Sequence, residues 1–186
     1  MLEAEQEFIE KAKAGDGTAF GRLYEHYVAQ IYRFIALKVG TRQLAEDLTH
    51  EVFMSAWQKL PNFTQQGFPF SSWLYKIARN RVIDHYRTQK ALVSIDEEVA
   101  INEDLFAASS RSDELFDQGL AVKKIETAMK ELTSEQQEVL TLRFVNDLTP
   151  REIAEILNKR EGTIRIIQHR ATNKLKKILG KSANEK

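Results

Sequence analysis

Leu148-Thr149-Pro150-Arg151-Glu152-Ile153-Ala154-Glu155-Ile156-Leu157, followed by Gly162-Thr163-Ile164-Arg165, is the stretch that decides the fold of this chain. Thr149 can cap a helix while Glu152 reaches back to it, Pro150 suits the first helical position, and Ile153, Ile156 and Leu157 share one face. The pattern predicts a short helix from Pro150 to about Asn158. Ala154 is small enough for a second helix to cross closely, and residues 158–161 are the right length for a turn. The next helix runs to Leu179 and carries Ile164, Ile167, Ala171, Leu175 and Ile178 at helical spacing, so that stripe faces a core. The two segments together read as a helix-turn-helix.

The second helix keeps a different set of residues outside. Arg165, His169 and Thr172 fall on one line, with Arg170, Asn173, Lys174 and Lys177 beside it. A cationic face rich in donors fits the major groove of duplex DNA. Lysines near a helix C-terminus also complement its dipole, but the pairing with a capped short helix favours DNA contact.

With 186 residues, 42% of them hydrophobic, the chain has room for one large or two small domains. It holds no apolar run near membrane-spanning length, and Met1-Leu2-Glu3-Ala4-Glu5 is acidic where a signal peptide is basic, so a cytoplasmic chain without membrane insertion is expected. There is no cysteine, and His26, His50, His85 and His169 are scattered, which gives no metal-ligand spacing and points to no cofactor. The net charge is zero, but it is sorted along the chain. Between Ala91 and Leu120 eight acids stand against Arg111 alone, a net charge of −7. That stretch also contains Ala107-Ala108-Ser109-Ser110 and little periodicity, which reads as a flexible acidic linker. The expected architecture is all-α: a helical domain over 1–90, the linker over 91–120, and the helix-turn-helix domain over 121–182.

In the first domain Gly15-Asp16-Gly17 marks a turn, after which Phe20, Leu23, Tyr24, Tyr27, Ile31, Phe34, Ile35 and Leu37 recur at helical spacing. Gly40 is expected to close that helix and Thr41 to cap the next, which runs from Leu44 to Leu60. Glu46, Asp47, His50 and Glu51 give this helix an acidic face beside Phe53 and Trp57. The loop from Pro61 to Phe70 is rich in aromatics and leads into a helix that Ser71 is expected to cap, with Phe70 stapled against Tyr75. Lys76, Arg79, Asn80, Arg81, Arg87 and Lys90 project from that helix. Bases interleaved with aromatics suit single-stranded DNA, although Trp73 and Phe68 also read as core.

Asp47-Leu48-Thr49-His50-Glu51-Val52-Phe53 with Ala56-Trp57, then Phe70-Ser71-Ser72-Trp73-Leu74-Tyr75-Lys76-Ile77-Ala78-Arg79-Asn80 with Asp84 and Arg87, resemble the first conserved domain of sigma-70 factors of the extracytoplasmic-function (ECF) type. Leu132-Thr133-Ser134-Glu135-Gln136-Gln137-Glu138-Val139-Leu140-Thr141-Leu142-Arg143-Phe144 and the helix-turn-helix resemble the second. The resemblance implies a transcription initiation factor rather than an enzyme. It implies that Asp47, His50, Glu51, Phe53 and Trp57 dock on the clamp helices of the RNA polymerase beta-prime subunit. Asn62, Phe63, Phe70, Trp73, Tyr75, Lys76, Arg79, Asn80, Arg81 and Arg87 would capture the melted minus-ten strand, with a base flipped into a pocket. Arg151, Arg160, Glu161, Thr163, Arg165, Ile166, His169, Arg170 and Lys174 would read the minus-thirty-five duplex. The implied partners are core RNA polymerase, its beta flap included, promoter DNA and an anti-sigma factor, with no small-molecule substrate; the linker would thread polymerase toward its active site and RNA exit path.

Three departures stand out. His50 occupies a usual glutamine position, Lys159 and Arg160 replace an apolar residue and a serine-like cap in the turn, and Ile166-Ile167 replace a common serine and arginine, so promoter preference is expected to be unusual. Two other classes compete. An operator-binding regulator explains the helix-turn-helix but leaves the aromatic loop and acidic linker without a role. An enzyme is disfavoured because Asp84-His85 and His50-Glu51 are helix neighbours that point apart and have no third group.

Overall fold

The computed structural model of the chain describes residues 4–65, 67–93, 125 and 127–184. The chain divides into two compact units, Met1–Ala91 and Leu92–Lys186. All regular structure among the described residues is helical, as the apolar spacing predicts.

In the first unit α1 (Glu5–Lys13) turns at Gly15, whose φ of 94° is a left-handed conformation that favours glycine, into α2 (Gly17–Ala36). Asp16 caps α2 by accepting from the Thr18 and Ala19 N–H groups at 2.8 and 3.1 Å. Next come α3 (Arg42–Lys59), capped by Thr41, a 3₁₀ turn (Leu60–Asn62) and α4 (Phe70–Val93). α1 packs on α2, and α2 on α3. The core holds Ile9, Leu23, Ile31, Phe34 and Ile35 from the first two helices, Val52 and Ala56 from α3, and Leu74, Tyr75 and Ala78 from α4.

Several boundaries differ from the expected ones. α2 stops at Ala36, not at Gly40, and Leu37 is 44% exposed, outside the core stripe. The Tyr86 hydroxyl donates to the Lys38 carbonyl at 2.7 Å, and Lys38 Nζ sits over the Phe34 ring at 4.6 Å, so α4 pins the chain reversal at that point. α4 begins at Phe70, with the Ser72 N–H bonded to the Pro69 carbonyl, which places Ser71 inside the first turn rather than at the cap. Phe70 packs on Tyr27, Phe63 and Trp73, while Tyr75 packs on Phe34, in place of the expected staple between them. α4 also continues to Val93, into the first three residues of the expected linker; the rest of that linker, residues 94–120, lies outside the described residues.

In the second unit a helical stretch at 127–130 precedes α5 (Ser134–Leu140), which opens on a capping box between Thr133 and Gln136. A π turn (Thr141–Val145) follows, then α6 (Pro150–Leu157) and α7 (Glu161–Asn184). The wider π turn buries Leu142 completely while leaving Phe144 at 64% exposure, and Arg143 donates to the Leu148 carbonyl at 3.1 Å to hold the descent into α6. α5 and α6 both pack on α7. Leu132, Leu140 and Ala171 form a cluster with Met129 and Leu175, and Ile153, Ile156 and Ile164 are also buried. α7 starts at Glu161, so the turn is three residues rather than four, and it runs past Leu179 through Gly180.

Candidate nucleic-acid interface

The second unit builds its outward face from the α6 cap. The Glu152 N–H donates to Thr149 Oγ1 at 3.3 Å and the Thr149 N–H to Glu152 Oε2 at 2.7 Å, so both orphan donors are satisfied. Asn158 ends α6 in the left-handed conformation, φ 53°, which asparagine tolerates well. Lys159 Nζ then reaches Glu135 of α5 at 2.6 Å and fixes the turn. With Ile164 fully buried, the orientation of α7 is set.

Of the residues assigned to duplex reading, Arg151, Arg160, Thr163, Arg165, Ile166, His169, Arg170 and Lys174 are exposed and Glu161 is half-buried. Arg165 donates through Nε and Nη2 to one oxygen of Glu161, at 3.1 and 2.6 Å. His169 and Asn173 are joined at 2.9 Å one turn further on. Lys174 bonds to the Glu131 carbonyl, which turns it toward its own unit. Arg151 stands apart from the others on α6.

In the first unit Asp47, His50 and Glu51 are exposed on α3, and Gln43 donates to Asp47 at 3.0 Å. Phe53, expected on the docking face, is only 4% exposed; it packs against Tyr24 at 4.8 Å and Phe20 at 6.5 Å, because α2 covers that side of α3. Trp57 is half-buried on Phe20 at 4.9 Å. An open, apolar cleft of ≈ 280 Å³ results, lined by Phe20, Tyr24, His50, Phe53, Met54 and Trp57 with Gly17. Helical spacing alone puts Phe20 and Tyr24 on the apolar stripe of α2 and does not single out Met54. The signal was there in two aromatic pairs at i,i+4, Phe20/Tyr24 and Phe53/Trp57, on consecutive helices.

The expected single-strand platform changes most. Tyr75 is 0% exposed, Phe70 1% and Phe63 8%, so these rings fill the core instead of offering faces to bases. Trp73 is half-buried against Phe63 at 4.8 Å and Phe70 at 5.3 Å. Asn62, Asn80 and Arg87 are exposed, and Lys76, Arg79 and Arg81 half-buried. Arg81 reaches Glu51 of α3 at 4.0 Å, linking the acidic face to the basic one. Burial pushes the Tyr86 phenol above its ordinary range, and burial followed by the Glu5 hydrogen bond does the same, more strongly, to Tyr27. Among the described residues no group of three or more His, Asp or Glu is placed to hold a metal ion, and no helix is long and apolar enough to cross a membrane.

Two families match the two units: Sigma-70 region 2 over residues 23–92, and Sigma-70, region 4 over residues 128–177. The chain is 32% identical over 177 residues to the ECF RNA polymerase sigma factor SigW of Bacillus subtilis, covering 92% of this chain and 94% of that one. The chain belongs to the ECF sigma factors. It is also 36% identical over 173 residues to ECF sigma factor BldN of Streptomyces coelicolor, covering 93% of this chain but 65% of that longer relative. In fold the ECF sigma factor is similar to CnrH, solved in complex with the cytosolic domain of CnrY (TM-score 0.69, 20% identity, 95% and 97% of the chains covered). It is likewise similar to RpoE of Bartonella quintana, solved with the anti-sigma factor NepR (TM-score 0.64, 23% identity, 87% and 96% covered). Region 2 of this ECF sigma factor thus spans most of α2 with α3 and α4, and region 4 carries α5 to α7. The region 2 match covers the aromatic loop that an operator-binding regulator leaves without a role. Sigma factors are transcription initiation factors, and the match indicates no catalytic activity.

Proposed function

We propose that this chain acts in the cytoplasm by carrying core RNA polymerase to a small set of promoters, with each exposed face taking one partner. The domain assignment is 1–90 for polymerase docking and the minus-ten element, 91–120 for the acidic linker inside polymerase, and 121–182 for the minus-thirty-five duplex and the beta flap. Asp47, His50 and Glu51, with Trp57 and the edge of Phe53, meet the beta-prime clamp helices. Asn62, Trp73, Lys76, Arg79, Asn80, Arg81 and Arg87 hold the melted minus-ten strand by phosphate contact and one stacked base. Phe63, Phe70 and Tyr75 shape that surface from within.

Duplex reading rests on Arg160 in the turn and on Glu161, Thr163, Arg165, Ile166, His169 and Arg170 along α7, with Arg151 directed at phosphates and Lys174 at the edge of the face, where it bonds to the Glu131 carbonyl. The single observation that carries the proposal is the α7 face: donors and cations exposed along one side, behind a capped α6 that fixes its angle. An anti-sigma partner that clasps both units would silence the factor, a reading supported by the complexes in which CnrH and RpoE were solved.

Reconstitution tests this. The purified chain is mixed with bacterial core RNA polymerase, the complex isolated by size exclusion, and transcripts sought from a genomic fragment library, with core alone as control. A stable complex with discrete new start sites is expected. No complex, together with tight duplex binding by the free chain, would overturn the proposal in favour of an operator-binding role.

A further inference from the structure

Ile166 is 53% exposed in the second turn of α7, although the isoleucines on either side of it along the chain turn inward: Ile164 is fully buried and Ile167 half-buried. The core therefore does not need it. As a β-branched residue it also gives α7 less intrinsic stability than the lysines and arginines around it. One turn earlier on the same side stands Gly162, where an added Cβ would meet nothing within 4 Å. With no side chain there, a surface can approach Ile166 closely. Thr163, Arg165, His169 and Arg170 surround this bare apolar spot with donors and cations. The surroundings fit a polyanion, and the spot itself fits a small apolar group carried on that polyanion.

In the major groove one base edge offers such a group, the C5-methyl of thymine. Guanine presents two acceptors at the same depth, and an isoleucine there would leave both dry and unpaired. We infer that Ile166 is a specificity-determining residue that packs on a thymine methyl in the minus-thirty-five duplex, next to the base pair read by Arg165. This inference rests on the proposed docking of α7 in the major groove and goes further by naming the base. Gly162 is the positioning residue that lets the helix backbone come close enough.

Deoxyuridine supplies the test, because it pairs as thymidine does and lacks only the methyl. The full chain, assembled with core RNA polymerase, first selects its minus-thirty-five duplex from a randomised library. Each thymidine of the selected element is then replaced in turn by deoxyuridine, and affinity is measured for the native chain and for Ile166→Ala, Ile166→Val and Arg165→Ala. The expected result is a loss of about fourfold at one position for the native chain, the worth of one buried methyl group. Ile166→Val should keep that discrimination and Ile166→Ala should abolish it. Thermal unfolding of Ile166→Ala checks that this exposed position leaves the fold intact.

Two results overturn the inference, and they are distinguishable. If the native chain selects a duplex in an Arg165-dependent way but tolerates deoxyuridine at every position, α7 reads DNA and Ile166 does not touch a methyl. If no duplex is selected and Arg165→Ala changes nothing, the docking of α7 itself fails, and the inference falls with it.

Discussion

Arg165 is held along α7 by Glu161, one helical turn earlier, through two donors on a single carboxylate oxygen at 3.1 and 2.6 Å. Both side chains are open to solvent, at 65% and 42% exposure, so the pair adds only about 0.3–0.5 kcal/mol to stability. Its value is geometric: a guanidinium already fixed in direction loses less entropy when it meets a guanine edge. Arg165→Ala should weaken binding to the minus-thirty-five duplex by about 1–3 kcal/mol while barely moving the melting temperature. Titration of the holoenzyme with a labelled duplex reads the first effect. Unchanged promoter selectivity would sink the role of Arg165.

The Thr149 cap fixes where α6 begins. Thr149→Ala removes the hydroxyl arm of the capping box, leaving the backbone N–H to Glu152 in place, and should destabilise the second unit by about 1 kcal/mol, whereas Thr149→Ser should restore most of it. Denaturant unfolding followed by hydrogen exchange on α6 amides distinguishes the two units. Equal protection in native and Thr149→Ala chains would contradict the cap.

Tyr75 and Asn80 separate scaffold from contact on one helix. Tyr75 is completely buried against Phe34, so Tyr75→Ala should cost about 3–5 kcal/mol and lower the folded fraction. Asn80 is exposed, and Asn80→Ala should leave stability within about 0.5 kcal/mol while reducing open-complex formation. Permanganate footprinting of the melted strand, compared with circular dichroism of the free chain, tests both. A Tyr75→Ala chain that folds normally and fails only at melting would reverse this assignment.

Trp57 lies at one wall of the cleft between α2 and α3. Removing it takes a large half-buried ring from the proposed clamp-docking face, so Trp57→Ala should weaken core polymerase binding by about 2 kcal/mol or more. Duplex binding by α7 should be untouched. Competition for core polymerase against the native chain gives the number, and equal competition would move the docking face elsewhere.

Alkaline pH should loosen the first unit. The Tyr27 phenol is raised well above its ordinary value of 10.0 by burial and then by its hydrogen bond to Glu5, and Tyr86 is raised by burial. Above about pH 10 the unfolded chain loses these protons while the folded one keeps them, so stability falls with rising pH. The decline owes more to Tyr27, the more strongly raised of the two phenols, than to Tyr86. Tyr27→Phe should flatten the decline, as measured by unfolding free energy of the first unit between pH 9 and 11.5.

What the sequence made legible was mostly local. The Thr149-Pro150-Glu152 cap needs only four consecutive residues, and the stripe through Ile164 and Ala171 needs only helical spacing. The end of α2 was not legible, because a hydroxyl 48 residues away, on Tyr86, holds the Lys38 carbonyl in its reversal. Phe70 and Tyr75 read as platform residues because α4 shows aromatics beside bases. Only the packing of α4 on α2, through Tyr27 and Phe34, assigns those rings to the core. The burial of Phe53 was not legible either, since its cover comes from another helix. The exposed faces of α3 and α7 were legible as sets of charges, but the cleft beside α3 needed α2 and α3 in register.

Lys159 and Lys174 are both engaged within the second unit, by Glu135 and by the Glu131 carbonyl. Cations so occupied displace few ions from DNA. When the helix-turn-helix docks, fewer condensed sodium or potassium ions are liberated than a tally of its turn and α7 lysines suggests, and the logarithmic decline of affinity with salt should be shallower by up to about two ions. A promoter search tuned this way stays usable when the ionic strength of the cell climbs, at the expense of slower sliding attraction to bulk DNA.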